Sequence, residues 1–138
     1  ELINMSKKIL IIDDSALMRR VISDIIKSGN EYEVAAIAKD GLEGYEYIRQ
    51  NPTLYSAVIL DINMPKMNGI EFLKIIKSDP NFKTIPVVIL TTSNDENDKF
   101  ICYSYGAAGY IIKPIDYNEF QEAIRTFNNY WNINQFVS

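Results

Sequence analysis

Histidine is absent from the 138 residues of this chain, and Cys102 is its only thiol. The first absence removes imidazole acid–base chemistry, phosphohistidine formation on this chain and most zinc sites. The second removes any internal disulfide. Also missing are an apolar run long enough to cross a bilayer and a recognisable signal peptide, so membrane insertion is not expected and the cytoplasm is the expected compartment. Positive charge is in short supply, with 14 Lys and Arg against 18 Asp and Glu for a net charge of −4. The basic residues are scattered, no stripe exists to follow a phosphate backbone, and direct nucleic-acid binding is not expected. Carboxylates, lysines, hydroxyls and the main chain remain for chemistry.

What is present is a globular composition, 47% hydrophobic and 23% charged, enough for one domain with a full core and too short for two. Residues 1–4 precede Met5 and are expected to be a non-native remnant, leaving 5–138 as one domain. Apolar runs with little polar alternation, as in strands covered on both faces, fall at residues 9–12, 34–38, 57–60, 87–90 and 110–112.

Between these runs, apolar residues recur at helical spacing. Met18, Val21, Ile22, Ile25 and Ile26 follow Ser15; Leu42, Tyr45 and Ile48 follow Asp40 and Gly41; Ile70, Leu73 and Ile76, widened by Phe72, follow Asn68 and Gly69. A fourth helix is predicted over about 95–105, ahead of Gly106. The last helix carries explicit start signals, Asp116 with Glu119 as a capping-box-like pair and Ile115 with Phe120 as a hydrophobic staple. Its apolar face runs through Tyr117, Phe120, Ile124, Phe127 and Trp131. Five strands alternating with five helices predict a doubly wound α/β fold, a parallel sheet joined by right-handed crossovers. The flavodoxin-like order 2-1-3-4-5 suits five strands and sets the ends of strands one and three side by side.

Chemistry in such sheets collects beyond the carboxyl ends of the strands. Asp13 and Asp14 follow the first strand, Asp61 the third, Thr91 the fourth and Lys113 the fifth. Each also has an ordinary structural use: Asp13 and Asp14 as helix caps, Thr91 as a turn residue, Lys113 as part of a solvated turn before Pro114. Their joint placement at strand ends favours one shared site. Carboxylates brought this close repel one another, and a hard divalent cation such as Mg²⁺ relieves that repulsion with oxygen ligands. Acids, metal, hydroxyl and ammonium together make a phosphoryl-transfer set, with a carboxylate as nucleophile.

These motifs, standing as IIDDS, ILDINMP, ILTTS and GYIIKP, resemble the receiver domain of two-component response regulators, over about residues 7–130. The resemblance implies that Asp61 accepts a phosphoryl group from a sensor histidine kinase or phosphotransfer protein. It further implies that Asp13, Asp14, Asp61 and the main-chain carbonyl of Asn63 hold Mg²⁺, and that Lys113 and Thr91 bind phosphoryl oxygens. Thr91 and Tyr110 would form the switch, although Tyr110 also suits an ordinary strand aromatic. The Lys113–Pro114 bond is expected to be cis. Phosphorylation would change a partner-binding or dimerisation face on the fourth helix, fifth strand and fifth helix. Trp131 and Phe136 make a homodimer one candidate assembly. The chain would then be a signalling phosphoacceptor, with only self-phosphorylation and slow autodephosphorylation of its own.

Thr92 stands where many receivers carry Ala or Gly, which narrows access to the phosphoryl group. The first half resembles receivers attached to chemotaxis methylesterases, whereas the second half resembles single-domain regulators partnered with phytochrome-type kinases. Two other function classes compete. A haloacid-dehalogenase-like phosphatase also uses an Asp nucleophile and Mg²⁺ after a parallel strand, but carries a second Asp where Asn63 stands here. A flavodoxin-like FMN carrier would have to bring its phosphate against Asp13 and Asp14.

Overall fold

A computed structural model describes residues 7–29, 31–64 and 67–113, together with Asn118 and Glu122. The chain alternates strand and helix: β1 (Lys7–Ile12), α1 (Ala16–Ser28), β2 (Tyr32–Ala38), α2 (Gly41–Gln50), β3 (Ala57–Leu60), α3 (Gly69–Ser78), β4 (Val87–Thr91), α4 (Glu96–Ser104) and β5 (Gly109–Ile112). The five strands form one sheet in the order β2-β1-β3-β4-β5, and every neighbouring pair is parallel. This is the flavodoxin-like arrangement expected from the alternation of elements. The fifth helix, its cap and staple residues, Trp131, Phe136 and the Lys113–Pro114 bond lie outside the described residues, apart from Asn118 and Glu122, which are helical.

Strand alternation divides the core between the two faces of the sheet. Leu10 and Ile12 of β1, with Val58 and Leu60 of β3, pack against Ile48 of α2 and against Phe72, Leu73 and Ile76 of α3. Their neighbours Ile9, Ile11, Ala57 and Ile59 point the other way, toward Ile22, Ile25 and Ile26 of α1. A strand buried on both sides has no solvent face, which is why these runs show little polar alternation.

Side-chain caps start the helices where the sequence suggests. Ser15 accepts from the Met18 N–H at 3.2 Å, Asp40 from the Glu43 N–H at 2.8 Å, and Asn68 and Glu71 form a reciprocal capping box. The stripe assigned to α2 needs correction: Leu42 is 50% exposed, and Gly41, Gly44 and Ile48 take the buried positions. A Cβ on Gly44 would run into Ile12 Cδ1, and one on Gly41 into the Met67 carbonyl. Glycine thus lets the helix approach the sheet and the neighbouring loop. The Gly41 N–H donates to that same Met67 carbonyl at 3.2 Å, and Met67 itself adopts a left-handed φ of 46°.

Register sets the site. Ile12 pairs with Leu60 and Thr91 with Ile112, so Asp13 and Asp61 leave adjacent strands at one level, as do Thr92 and Lys113 on the other side. Main-chain bonds extend the sheet past the strand ends, from the Asp61 N–H to the Ile12 carbonyl at 2.9 Å and from the Lys113 N–H to the Thr91 carbonyl at 2.7 Å.

Candidate functional site

The expected acids meet. Carboxylate oxygens of Asp13, Asp14 and Asp61 lie within 4.8 Å of one another. Asp13 and Asp61 are buried and Asp14 faces solvent. Lys113 reaches into the cluster from β5, its ammonium 2.7 Å from Asp13 Oδ2 and 3.5 Å from Asp61 Oδ2. The lysine side chain is 8% exposed, so these contacts are only weakly screened by solvent.

The two buried acids are oriented locally. Asp13 Oδ1 accepts from the Ser15 N–H at 2.9 Å, a bond that places this acid at the start of α1 while leaving its other oxygen for Lys113. The Arg19 guanidinium donates to the Asp13 carbonyl at 2.8 Å. Asp61 Oδ1 accepts from the Asn63 N–H at 3.1 Å. Burial pushes the Asp61 carboxyl above the usual aspartate range; the Asn63 N–H and the Lys113 charge oppose that shift, the Asp13 charge adds to it, and the Thr91 hydroxyl opposes it.

Thr91 is fully buried, and its Oγ1 accepts from the Ser93 N–H at 3.2 Å and from the Asn63 side-chain amide at 3.3 Å. The Tyr110 hydroxyl donates to the Ser93 carbonyl at 3.1 Å, and its ring lies 6.5 Å from that of Tyr103. Thr92 is exposed.

Carboxylates outnumber the ammonium here, and among the described residues the side chains gathered as possible metal ligands are the three carboxylates, with no thiolate among them. Such an oxygen-only, net-negative donor set fits a hard divalent cation. Asp14, on the solvent side, leaves a path for one to enter. Sequence reasoning misses Ser93, Arg19 and the side chain of Asn63. Ser93 carries no signal beyond its place after two threonines, Arg19 none beyond its helix, and Asn63 points to the site through its carbonyl alone.

Known proteins resemble this chain in sequence and in fold. Chemotaxis protein CheY1 of Helicobacter pylori is 36% identical over 107 residues, covering 78% of this chain and 85% of that protein. The crystal structure of the phosphorylated cyanobacterial phytochrome response regulator RcpA matches with a TM-score of 0.85 at 33% identity, covering 92% of this chain and 94% of that one. That of the Mn²⁺-bound form of response regulator Rcp1 matches with a TM-score of 0.82 at 30% identity, covering 91% and 94%. With the five-stranded order and the acid cluster already in place, and with the response regulator receiver domain matching residues 9–125, the chain belongs to the receiver-domain family of two-component response regulators.

Proposed function

We propose that the chain is a phosphorylation-controlled signalling module in which Asp61 accepts a phosphoryl group from a sensor histidine kinase or phosphotransfer protein. The observation that carries this reading is the meeting of Asp13, Asp14 and Asp61 within 4.8 Å around the Lys113 ammonium. In the transfer, an Asp61 oxygen attacks phosphorus. A P–O bond forms as the P–N bond of the donor phosphohistidine breaks, and the departing imidazole nitrogen keeps the electron pair. Asp61 must be ionised to attack. The Lys113 charge and the Thr91 hydroxyl hold the oxygens of the transferred group, where donors already in place cost no reorganisation.

Asp13, Asp14, Asp61 and the Asn63 carbonyl are the residues that would hold Mg²⁺, whose charge offsets the crowded oxygens. The Mn²⁺-bound relative supports this part of the reading, and the phosphorylated relative supports the phosphoacceptor part. Asn63 offers no general base, and its amide is engaged with Thr91, so the phosphoaspartate turns over slowly and the phosphatase alternative is disfavoured. Thr91 and Tyr110 act as the switch toward a partner, or a second copy of the chain, on the face of α4, β5 and the fifth helix expected after Lys113. Phe100 on α4, 71% exposed, and Ile112 on β5, 42% exposed, support that choice of face. Residues 5–138 act as one such domain, in the cytoplasm, without binding nucleic acid directly. Among the described residues no helix is long and apolar enough to cross a membrane.

Mass spectrometry after acetyl phosphate and Mg²⁺ treatment tests the assignment. One phosphoryl group is expected on the wild type and none on Asp61→Asn; full modification of the variant would overturn it.

A further inference from the structure

Each polar atom of Ser93 is engaged with a different part of the molecule. Its N–H donates to Thr91 Oγ1 at 3.2 Å, and its carbonyl accepts from the Tyr110 hydroxyl at 3.1 Å. Its hydroxyl donates to Asp98 Oδ2 at 2.7 Å and accepts from the Asp95 N–H at 3.4 Å. Asp95 is the N-cap of α4 and Asp98 lies in its first turn. Thr92 and Asn94, on either side, are exposed. The segment between β4 and α4 is therefore fastened mainly at Ser93. The fastening matters more for α4 than it would elsewhere, because Cys102 is the single buried residue of that helix. With so little packing, a short hydroxyl-to-carboxylate bond is a large share of what fixes the helix start.

We propose that the Ser93 hydroxyl and the Asp98 carboxylate form a latch that ties the first turn of α4 to Thr91 and Tyr110, making Ser93 the positioning residue through which a change at Asp61 reaches α4. The latch stands on geometry alone; its role as a relay rests on the phosphoacceptor reading above. If the Thr91 hydroxyl turns toward a phosphoryl group on Asp61, its bond to the Ser93 N–H must carry that residue along or break. With the latch closed, Ser93 cannot shift without drawing Asp98 and the first turn of α4. With the latch open, the exposed residues on either side absorb the movement. Coupling between sites needs contacts that differ between two arrangements, and the Ser93 bonds supply them without touching the reacting atoms.

Amide hydrogen exchange followed by NMR on the full chain tests both halves, comparing wild type with Ser93→Ala, Ser93→Thr and Asp98→Ala, each unmodified and with beryllofluoride plus Mg²⁺. In unmodified protein, Ser93→Ala and Asp98→Ala should each raise exchange in the first turns of α4 about tenfold, the worth of one charge-assisted hydrogen bond. Amides of β1 and β3 should not change, and Ser93→Thr, which keeps the hydroxyl, should match wild type. Exchange in α4 that is unaltered by Ser93→Ala overturns the latch. With beryllofluoride, the α4 and Tyr110 ring shifts seen in wild type and Ser93→Thr should disappear from Ser93→Ala and Asp98→Ala, while shifts beside Asp61 persist. Wild-type α4 shifts in Ser93→Ala overturn the relay. If wild type itself shows no shift beside Asp61, the phosphoacceptor reading fails, and exchange in unmodified protein still decides the latch.

Discussion

Helices α3 and α4 contribute to the same side of the core, through Phe72, Leu73 and Ile76 in one case and Cys102 in the other, but they are held by different means. In α3 those apolar side chains are fully buried, and a reciprocal capping box closes its start. Its first residue, Gly69, lies so close to the Asp61 carbonyl and the Ile62 backbone that a Cβ would collide with both. In α4 the two aromatic side chains face outward instead, with Phe100 71% and Tyr103 47% exposed, Cys102 is the single buried residue, and hydrogen bonds at its start do much of the holding. The contrast separates two tasks. The packed side fixes where the acids stand; the thinly packed side is free to be repositioned at small cost, as elements that move in switching tend to be.

The sharpest test of this contrast is to truncate one aromatic on each helix. Phe72→Ala should cost about 3–5 kcal/mol of unfolding free energy, whereas Phe100→Ala should stay within about 0.5 kcal/mol of wild type; urea denaturation reads both. Equal losses would erase the distinction. A smaller effect is expected where α3 meets the site: Gly69→Ala should cost about 1–3 kcal/mol by overpacking and slow acetyl phosphate labelling, because the backbone it strikes is that of Asp61 and Ile62. Smaller again are the caps, each worth about 1 kcal/mol. Asn68→Ala should lower the urea midpoint, while Asp95→Ala should speed α4 amide exchange and leave the midpoint nearly in place. A midpoint shift of equal size from both would show α4 to be as integral to global unfolding as α3.

The last test concerns the charge that the packed side holds. Because the folded-state pKa of Asp61 is raised, mainly by burial, the native metal-free protein binds more protons than the unfolded chain through the window above the ordinary aspartate value. That contribution to stability is fully present below the unfolded pKa and is lost as pH rises through the folded one. Metal-free Asp61→Asn, which resembles the protonated acid, should therefore be more stable than wild type at neutral pH. Its advantage should shrink as pH falls through the same window. A constant difference across that range, measured by thermal unfolding, would mean that the substitution acts through packing.

Much of this division is legible in the amino-acid sequence. Asp13, Asp61 and Lys113 follow unbroken apolar runs, and the parallel register they imply carries their side chains to one place. Leu42 misleads, because helical spacing counts apolar residues and gives no credit to glycines; the inner face of α2 belongs to Gly41 and Gly44, whose value is the absence of a side chain. The apolar run of β1 begins only at Ile9, since Lys7 and Lys8 look like solvent residues, yet both pair with β2. Ser93 is invisible to pattern for a different reason. Its partners Thr91 and Asp98 are near in the chain, but such hydroxyl and carboxylate spacings are common in turns and mark nothing by themselves; Tyr110, seventeen residues on, is brought to it by the pairing of β5 with β4.

The contact between Gly41 and Met67 bears on how this fold can be re-engineered. A methionine with φ of 46° sits in a region that side chains other than glycine rarely occupy, and its carbonyl is met by the one residue type that leaves room for it. The two positions therefore form a unit of exchange. Grafting the loop after β3 from a relative, or recombining chains between β2 and α3, should succeed only when residues 41 and 67 travel together. Their separate replacements should be non-additive in the way that touching residues are, so a library that randomises one position alone would undercount the loops this scaffold can carry.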